Sequence, residues 1–183
     1  MKNRRDRPPG RSAKHKENKM SVILIGMPSC GKSTLGVLLA KQLGYRFMDS
    51  DLLIQESEGK LLHEIISEKG VEEFINIEER VNAAITEQKA VIATGGSVIY
   101  GDKAMQNLKK LGKVVYLELS YDEMCSRLGD YSHRGVVMPG GGTLADMYAQ
   151  RKPLYEKYAD ITVKVCNASL TDNVGKICSA LNK

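Results

Sequence analysis

Residues 26–34 read Gly-Met-Pro-Ser-Cys-Gly-Lys-Ser-Thr, and no other stretch restricts this 183-residue chain as much. They satisfy the pattern G-x-x-x-x-G-K-[ST], a loop whose backbone N–H groups cradle phosphates. The flanking residues supply the context that pattern needs. Ser21 to Ile25 is a short apolar, β-branched run of the kind that forms a buried strand. Leu35, Leu38, Leu39 and Leu43 share one face of the helix that should follow. Gly26 and Gly31 open dihedrals closed to other residues, so that successive N–H groups converge on one anion. A helix starting near Lys32 adds its unpaired N–H groups and the positive end of its dipole. Lys32 then reaches the β- and γ-phosphates, and the Ser33 hydroxyl ligates Mg²⁺. Gly26, Pro28, Ser29, Cys30, Gly31, Lys32, Ser33 and Thr34 are therefore the candidate nucleotide contacts. An ordinary strand–turn–helix corner would not need the Lys-Ser pair.

The chain carries a net charge of +5, but residues 1–19 alone hold eight Lys/Arg against Asp6 and Glu17. The basic character thus belongs to this leader, and residues 20–183 are close to neutral. The leader has almost nothing apolar to bury, so it is expected to be disordered. It lacks the apolar segment of a secretory signal. An arm for nucleic acid or an anionic surface is the functional alternative, and nucleic-acid binding is held unlikely. No apolar run approaches the roughly 18 residues of a membrane span. Cys30, Cys125, Cys166 and Cys178 form no C-x-x-C pair and no metal spacing. A cytoplasmic location follows as the expectation, with a monomeric state. Cys30 lies inside the anion loop beside Lys32, the setting that lowers a thiol pKa.

Along the rest of the chain, Tyr45 to Met48 reads as a second strand running into Asp49-Ser50-Asp51. Two carboxylates at i and i+2 can hold Mg²⁺ through water (Asp49) and face a substrate hydroxyl (Asp51), or they can cap a helix. Segments 52–57, 61–69 and 71–88 read as helices, an inserted block of the kind that forms a substrate lobe. Ala90 to Thr94 is a buried strand running into Gly95-Gly96-Ser97, where a ligand can approach the backbone. Helix 102–111, strand 113–119 and helix 121–128 follow. Residues 129–142 hold five Gly with His133 and Arg134, the composition of a mobile lid. Helix 144–156, strand 161–165 and helix 171–182 end the chain. Five parallel strands alternating with helices make a three-layer α/β fold. The expected organisation is one domain over 20–183, with a substrate lobe at about 50–88 and a lid at about 128–143.

In this order these residues resemble the shikimate kinase family, over about residues 21–182. The carrying motifs are the loop at 26–34, Phe47-x-Asp49-x-Asp51, Gly59, Gly70-x-x-x-Phe74-x-x-x-Glu78 and Ala93-Thr94-Gly95-Gly96. Val115 to Leu119, the lid, Arg151-x-Pro153-Leu154-Tyr155 and Ala159-Asp160 complete them. The resemblance implies a P-loop kinase core with sheet order 2-3-1-4-5, ATP and Mg²⁺ as cofactors, and phosphoryl transfer to a ring hydroxyl of shikimate. By position it implies that Lys32 holds the β- and γ-phosphates while Ser33 and Asp49 hold the metal. Asp51 binds the substrate hydroxyls and orients the attacking one. Gly95, Gly96 and Ser97 line the substrate site, and Arg151 holds the substrate carboxylate. Arg127 lies against adenine, and Arg134 closes on the phosphates as a catalytic group.

Three positions depart from the family. The carboxylate-binding arginine after Phe74 is Ile75, the third glycine is Ser97, and the lid's Arg-Pro-Leu-Leu is Arg134-Gly135-Val136-Val137. An aliphatic side chain cannot replace a bidentate guanidinium. Arg80 is five positions on, about 140° round the helix. The nucleotide half therefore matches, and the substrate half is altered at Ile75 and Ser97. Shikimate leads as the acceptor, followed by a different small hydroxylated metabolite and then by a module that binds ATP without transferring phosphate.

Overall fold

The apolar run Ser21–Ile25 (β1) is buried along its whole length, as a central parallel strand must be when helices cover both faces. The structure is a computed structural model and describes residues 20–128, 137–138, 140–166 and 168–182. Around β1 lie Arg46–Asp49 (β2), Ala90–Ala93 (β3), Gly112–Glu118 (β4) and Ile161–Lys164 (β5). They form one parallel sheet of order β2-β3-β1-β4-β5. Ile23 pairs with Ile92 on one side and Val114 on the other. The order reverses direction at β1, so the phosphate loop leaves the sheet where an α/β fold opens a crevice at its carboxyl edge.

Helices Lys32–Leu43 (α1), Ser50–Glu58 (α2), Leu62–Ala83 (α3), Asp102–Leu111 (α4), Tyr121–Leu128 (α5), Leu144–Tyr158 (α6) and Leu170–Leu181 (α7) flank the sheet. The main core packs Ile23, Leu24, Ile25, Leu35 and Leu39 against Val91, Ile92, Val114 and Tyr116. A smaller cluster of Ile54, Ile65, Phe74, Ile77 and Val137 sits beneath α2 and α3. The inserted block thus has its own apolar centre, with residue 137 of the expected lid docked against it. Of that lid, 129–136 and 139 lie outside the described residues, as does the leader 1–19.

Two helix boundaries differ from expectation. The break expected between 61–69 and 71–88 is present: Leu62–Ala83 (α3) is two helical segments meeting at a kink at Gly70, whose φ of 82° and ψ of 168° are non-helical. This helix stops at Ala83 instead of 88. Asn107 Nδ2 donates to the carbonyls of Asn82 and Ile85 at 3.1 and 2.8 Å, satisfying groups that a continuing helix would otherwise bond. Helix α2 begins at Ser50 because the Asp49 carboxylate accepts from the Asp51 N–H at 3.0 Å and caps it. Replacing Asn107 with Ala should orphan both carbonyls and cost about 1–3 kcal/mol in a urea titration. A loss below a few tenths of a kcal/mol would contradict this cap.

Candidate active site

The phosphate loop is shaped by close approach. A side chain at Gly26 (φ 149°) would stand 2.7 Å from the Leu117 carbonyl and 2.9 Å from Cys30 Sγ. Gly31 takes φ 96° as the residue preceding α1, and Ser29 is held at φ 60°. Lys32 is buried, and its Nζ donates to the carbonyls of Gly26 at 2.8 Å and Met27 at 3.0 Å. Cys30 is wholly buried, its sulfur 3.8 Å from the same Nζ.

Two cavities flank the loop. The first, about 290 Å³, is lined by Pro28, Ser29, Gly31, Lys32, Ser33 and Thr34. Its far wall carries Asp51, Gly95, Gly96, Ser97 and Arg151, together with Leu62, Phe74, Glu78, Thr94 and Val137. The second, about 250 Å³, lies on the other side of Gly31 and is lined by Cys30, Leu35, Arg127, Cys166 and Asn173 among others. The structure therefore brings together the loop, Asp51, the Gly95–Ser97 turn and Arg151, and sets Arg127 in the adjoining cavity.

Supporting contacts fix these walls. Tyr155 is stacked on Tyr116 with ring centroids 5.1 Å apart, and its hydroxyl donates to the Gly96 carbonyl at 2.5 Å. Ser50 Oγ accepts from the Gly95 N–H at 3.2 Å, and Thr94 Oγ1 donates to the Leu24 carbonyl at 3.0 Å. Arg151 is buried. Its Nη2 donates to the Val137 carbonyl, its Nε donates to the Tyr100 hydroxyl at 3.4 Å, and its guanidinium lies 5.5 Å from the Tyr100 ring centre.

Two expected site residues are not among the lining of the first cavity. Ile75 is half-buried against the apolar cluster of the lobe and is not among the lining residues of the first cavity. Its position one residue past the inward-facing Phe74 turns it along the lobe. Asp49 is also absent from that lining, and its Oδ1 accepts from the Asp51 N–H as the α2 cap. Arg80 is exposed and pairs with Glu58 at 2.8 Å, so it does not take over the role of an arginine at position 75. Arg134 lies outside the described residues.

The donor set around the loop fits Mg²⁺ arriving with a nucleotide. Ser33 is exposed on the first turn of α1 and lines the cavity. Among the described residues no group of three or more His, Cys, Asp or Glu could cage a metal on its own. Mg²⁺ characteristically keeps waters and phosphate oxygens and takes only one or two protein ligands.

The family model for shikimate kinase matches residues 28–182. The chain belongs to the shikimate kinase family. A shikimate kinase of Clostridium botulinum (strain Eklund 17B / Type B) is 34% identical over 160 residues, 87% of this chain and 95% of that protein. The solved shikimate kinase of Acinetobacter baumannii in complex with shikimate matches with a TM-score of 0.83 at 30% identity. It covers 91% of this chain and 94% of that one. The Aquifex aeolicus VF5 shikimate kinase matches with a TM-score of 0.76 at 29% identity, over 89% of this chain and 96% of that one.

Within this family member the electrostatics centre on two carboxyls. Burial, then the neighbouring Asp49 carboxylate, push Asp51 up to about 6, while Lys32 opposes the shift. Glu78 is pushed up to about 7, chiefly by burial and further by Asp51. The Ser97 hydrogen bond, Arg151 and Lys32 pull it the other way. Glu78 closes the motif Gly70-x-x-x-Phe74-x-x-x-Glu78 but was given no role in the site from the sequence. It occupies the inward face of α3 with Phe74, Ile77 and Val81, at i, i+3, i+4 and i+7, and a carboxyl on such a stripe was the available signal.

Because the Glu78 pKa is higher in the folded chain than the ordinary 4.5, its contribution to stability is greatest below about pH 4.5 and is lost as pH rises through about 7. The loss is on the order of 3 kcal/mol. Glu78→Gln should therefore raise the Tm at pH 8 and flatten its pH dependence relative to the native protein. A Tm difference that does not change between pH 5 and pH 8 would contradict this reading.

Proposed function

We propose that the protein transfers the γ-phosphoryl group of ATP, with Mg²⁺, to a ring hydroxyl of shikimate, giving shikimate 3-phosphate and ADP. The observation that carries this reading is the Asp51 carboxyl on the wall of the same cavity whose floor is the phosphate loop. In this reading the nucleotide base occupies the second cavity against Arg127. The phosphates cross the loop at Gly31, and the acceptor fills the first cavity. Lys32 exchanges its carbonyl partners for the β- and γ-phosphate oxygens. Ser33 would ligate the metal, and Asp49, which caps α2, would hold it through water. Arg151, Gly95 and Gly96 hold the acceptor, Ser97 lines its cavity, and Arg134 closes on the phosphates.

Asp51 accepts the proton of the attacking hydroxyl. A bond forms between that oxygen and the γ-phosphorus, and the bond from the γ-phosphorus to the bridging oxygen breaks, leaving ADP. Positioning and charge stabilisation supply most of the rate in such transfers. A carboxyl with a pKa of about 6 is ionised at neutral pH and still basic enough for this task. Position 75 favours one second reading, a different small hydroxylated acceptor, because no guanidinium stands there.

Asp51→Asn keeps the shape of the site and removes the base. It should lower kcat by about 100-fold or more and leave nucleotide affinity within about twofold. The native kcat/KM should fall as pH drops below about 6, and the variant should lack that limb. Unchanged kcat with weakened nucleotide binding would instead make Asp51 a metal ligand.

A further inference from the structure

The end of the acceptor cavity beside Gly95 is built from hydrogen-bond acceptors. Ser97 is buried, and its hydroxyl donates to Glu78 Oε2 at 2.5 Å. That bond fixes the carboxyl rotamer. The other oxygen, Glu78 Oε1, is buried and has no hydrogen-bond partner among the described residues. Its neighbour across the Gly95 backbone is Asp51. A methyl on Gly95 would stand 2.1 Å from Glu78 Oε1 and 2.9 Å from Asp51 Oδ1, so the two carboxyls lie side by side over one residue. On the cationic side, Arg151 commits Nη2 to the Val137 carbonyl and Nε to Tyr100, leaving Nη1 toward Gly96, where it would meet an added Cβ at 2.9 Å.

A buried carboxyl oxygen left without a donor is costly, and a ligand hydroxyl entering beside it relieves that cost. Sites built around such an oxygen discriminate strongly against ligands that lack the donor, because the protein group is then stranded. We propose that Glu78, oriented by Ser97, is a specificity-determining contact for a second acceptor hydroxyl, adjacent to the one that Asp51 orients, so that the enzyme selects a vicinal diol more strongly than a carboxylate. This rests on the phosphoryl-transfer reading above. Ser97 acts as a positioning residue in this scheme. It holds the carboxyl at one oxygen and leaves the other for the ligand.

The test measures kcat/KM on the full chain for three acceptors. They are shikimate, its analogue lacking the hydroxyl next to the phosphorylated one, and its analogue with a carboxamide in place of the carboxylate. The deoxy analogue should lose about 100-fold or more, and the carboxamide less than about tenfold. In Glu78→Met the deoxy penalty should collapse to within about fivefold, with the KM for ATP unchanged. Ser97→Ala should raise the KM for shikimate about tenfold with kcat within about threefold, and should add nothing in the Glu78→Met background. Native turnover of the deoxy analogue within about threefold of shikimate would overturn the proposal, as would a deoxy penalty that persists in Glu78→Met. The native-protein comparison needs no variant to fold. Failure to phosphorylate shikimate at all would overturn both readings, whereas equal use of shikimate and its deoxy analogue would overturn the diol assignment alone.

Discussion

The buried ammonium of Lys32 is the constraint on which the site depends. It sits where backbone carbonyls of its own loop satisfy it, at 2.8 Å from Gly26 and 3.0 Å from Met27. A buried charge without partners would cost several kcal/mol, so the loop must present those carbonyls when no phosphate is there to replace them. Gly26 makes that possible, since the Leu117 carbonyl and Cys30 Sγ leave no room for a side chain. Within the same curve the Cys30 N–H donates to the Met27 carbonyl at 3.3 Å, and the loop joins the central strand to α1.

The acceptor side follows from a second tension. Asp51 and Glu78 are carboxyls brought out of water beside each other, and both are pushed upward in pKa as a result. The lobe holds them in place through its apolar cluster of Ile54, Ile65, Phe74 and Ile77 and through the bonds from Asn107 of α4 to the end of α3. Tyr155 and Ser50 hold the Gly95-Gly96 turn against them. The stability that Glu78 loses as pH rises from about 4.5 to about 7 is consistent with a group retained for binding and not for folding.

Much of the architecture was legible in the residues, because strand, glycine loop and helix each carry a local signature. The buried run Ser21–Ile25, the order of the sheet and the places of Lys32, Asp51 and Arg151 all follow from patterns within a few residues or from family motifs. What escaped depended on contacts distant in sequence. Helix α3 ends early because Asn107, 22 residues beyond Ile85, takes its carbonyl. Asp49 is a cap because of where Asp51 N–H points, which the D-x-D spacing left open. Ile75 packs on the lobe cluster, a contact that its place in the motif did not show. Glu78 was named in a motif without a role, and its place in the site emerged only when Ser97 and Gly95 were brought beside it.

The most direct measurement is phosphorus NMR of the full chain incubated with ATP, Mg²⁺ and shikimate. The account predicts a new phosphate-monoester resonance on shikimate that grows in step with ADP and is absent when shikimate is omitted. ADP appearing only with inorganic phosphate, or nucleotide binding with no ester formed, would contradict it.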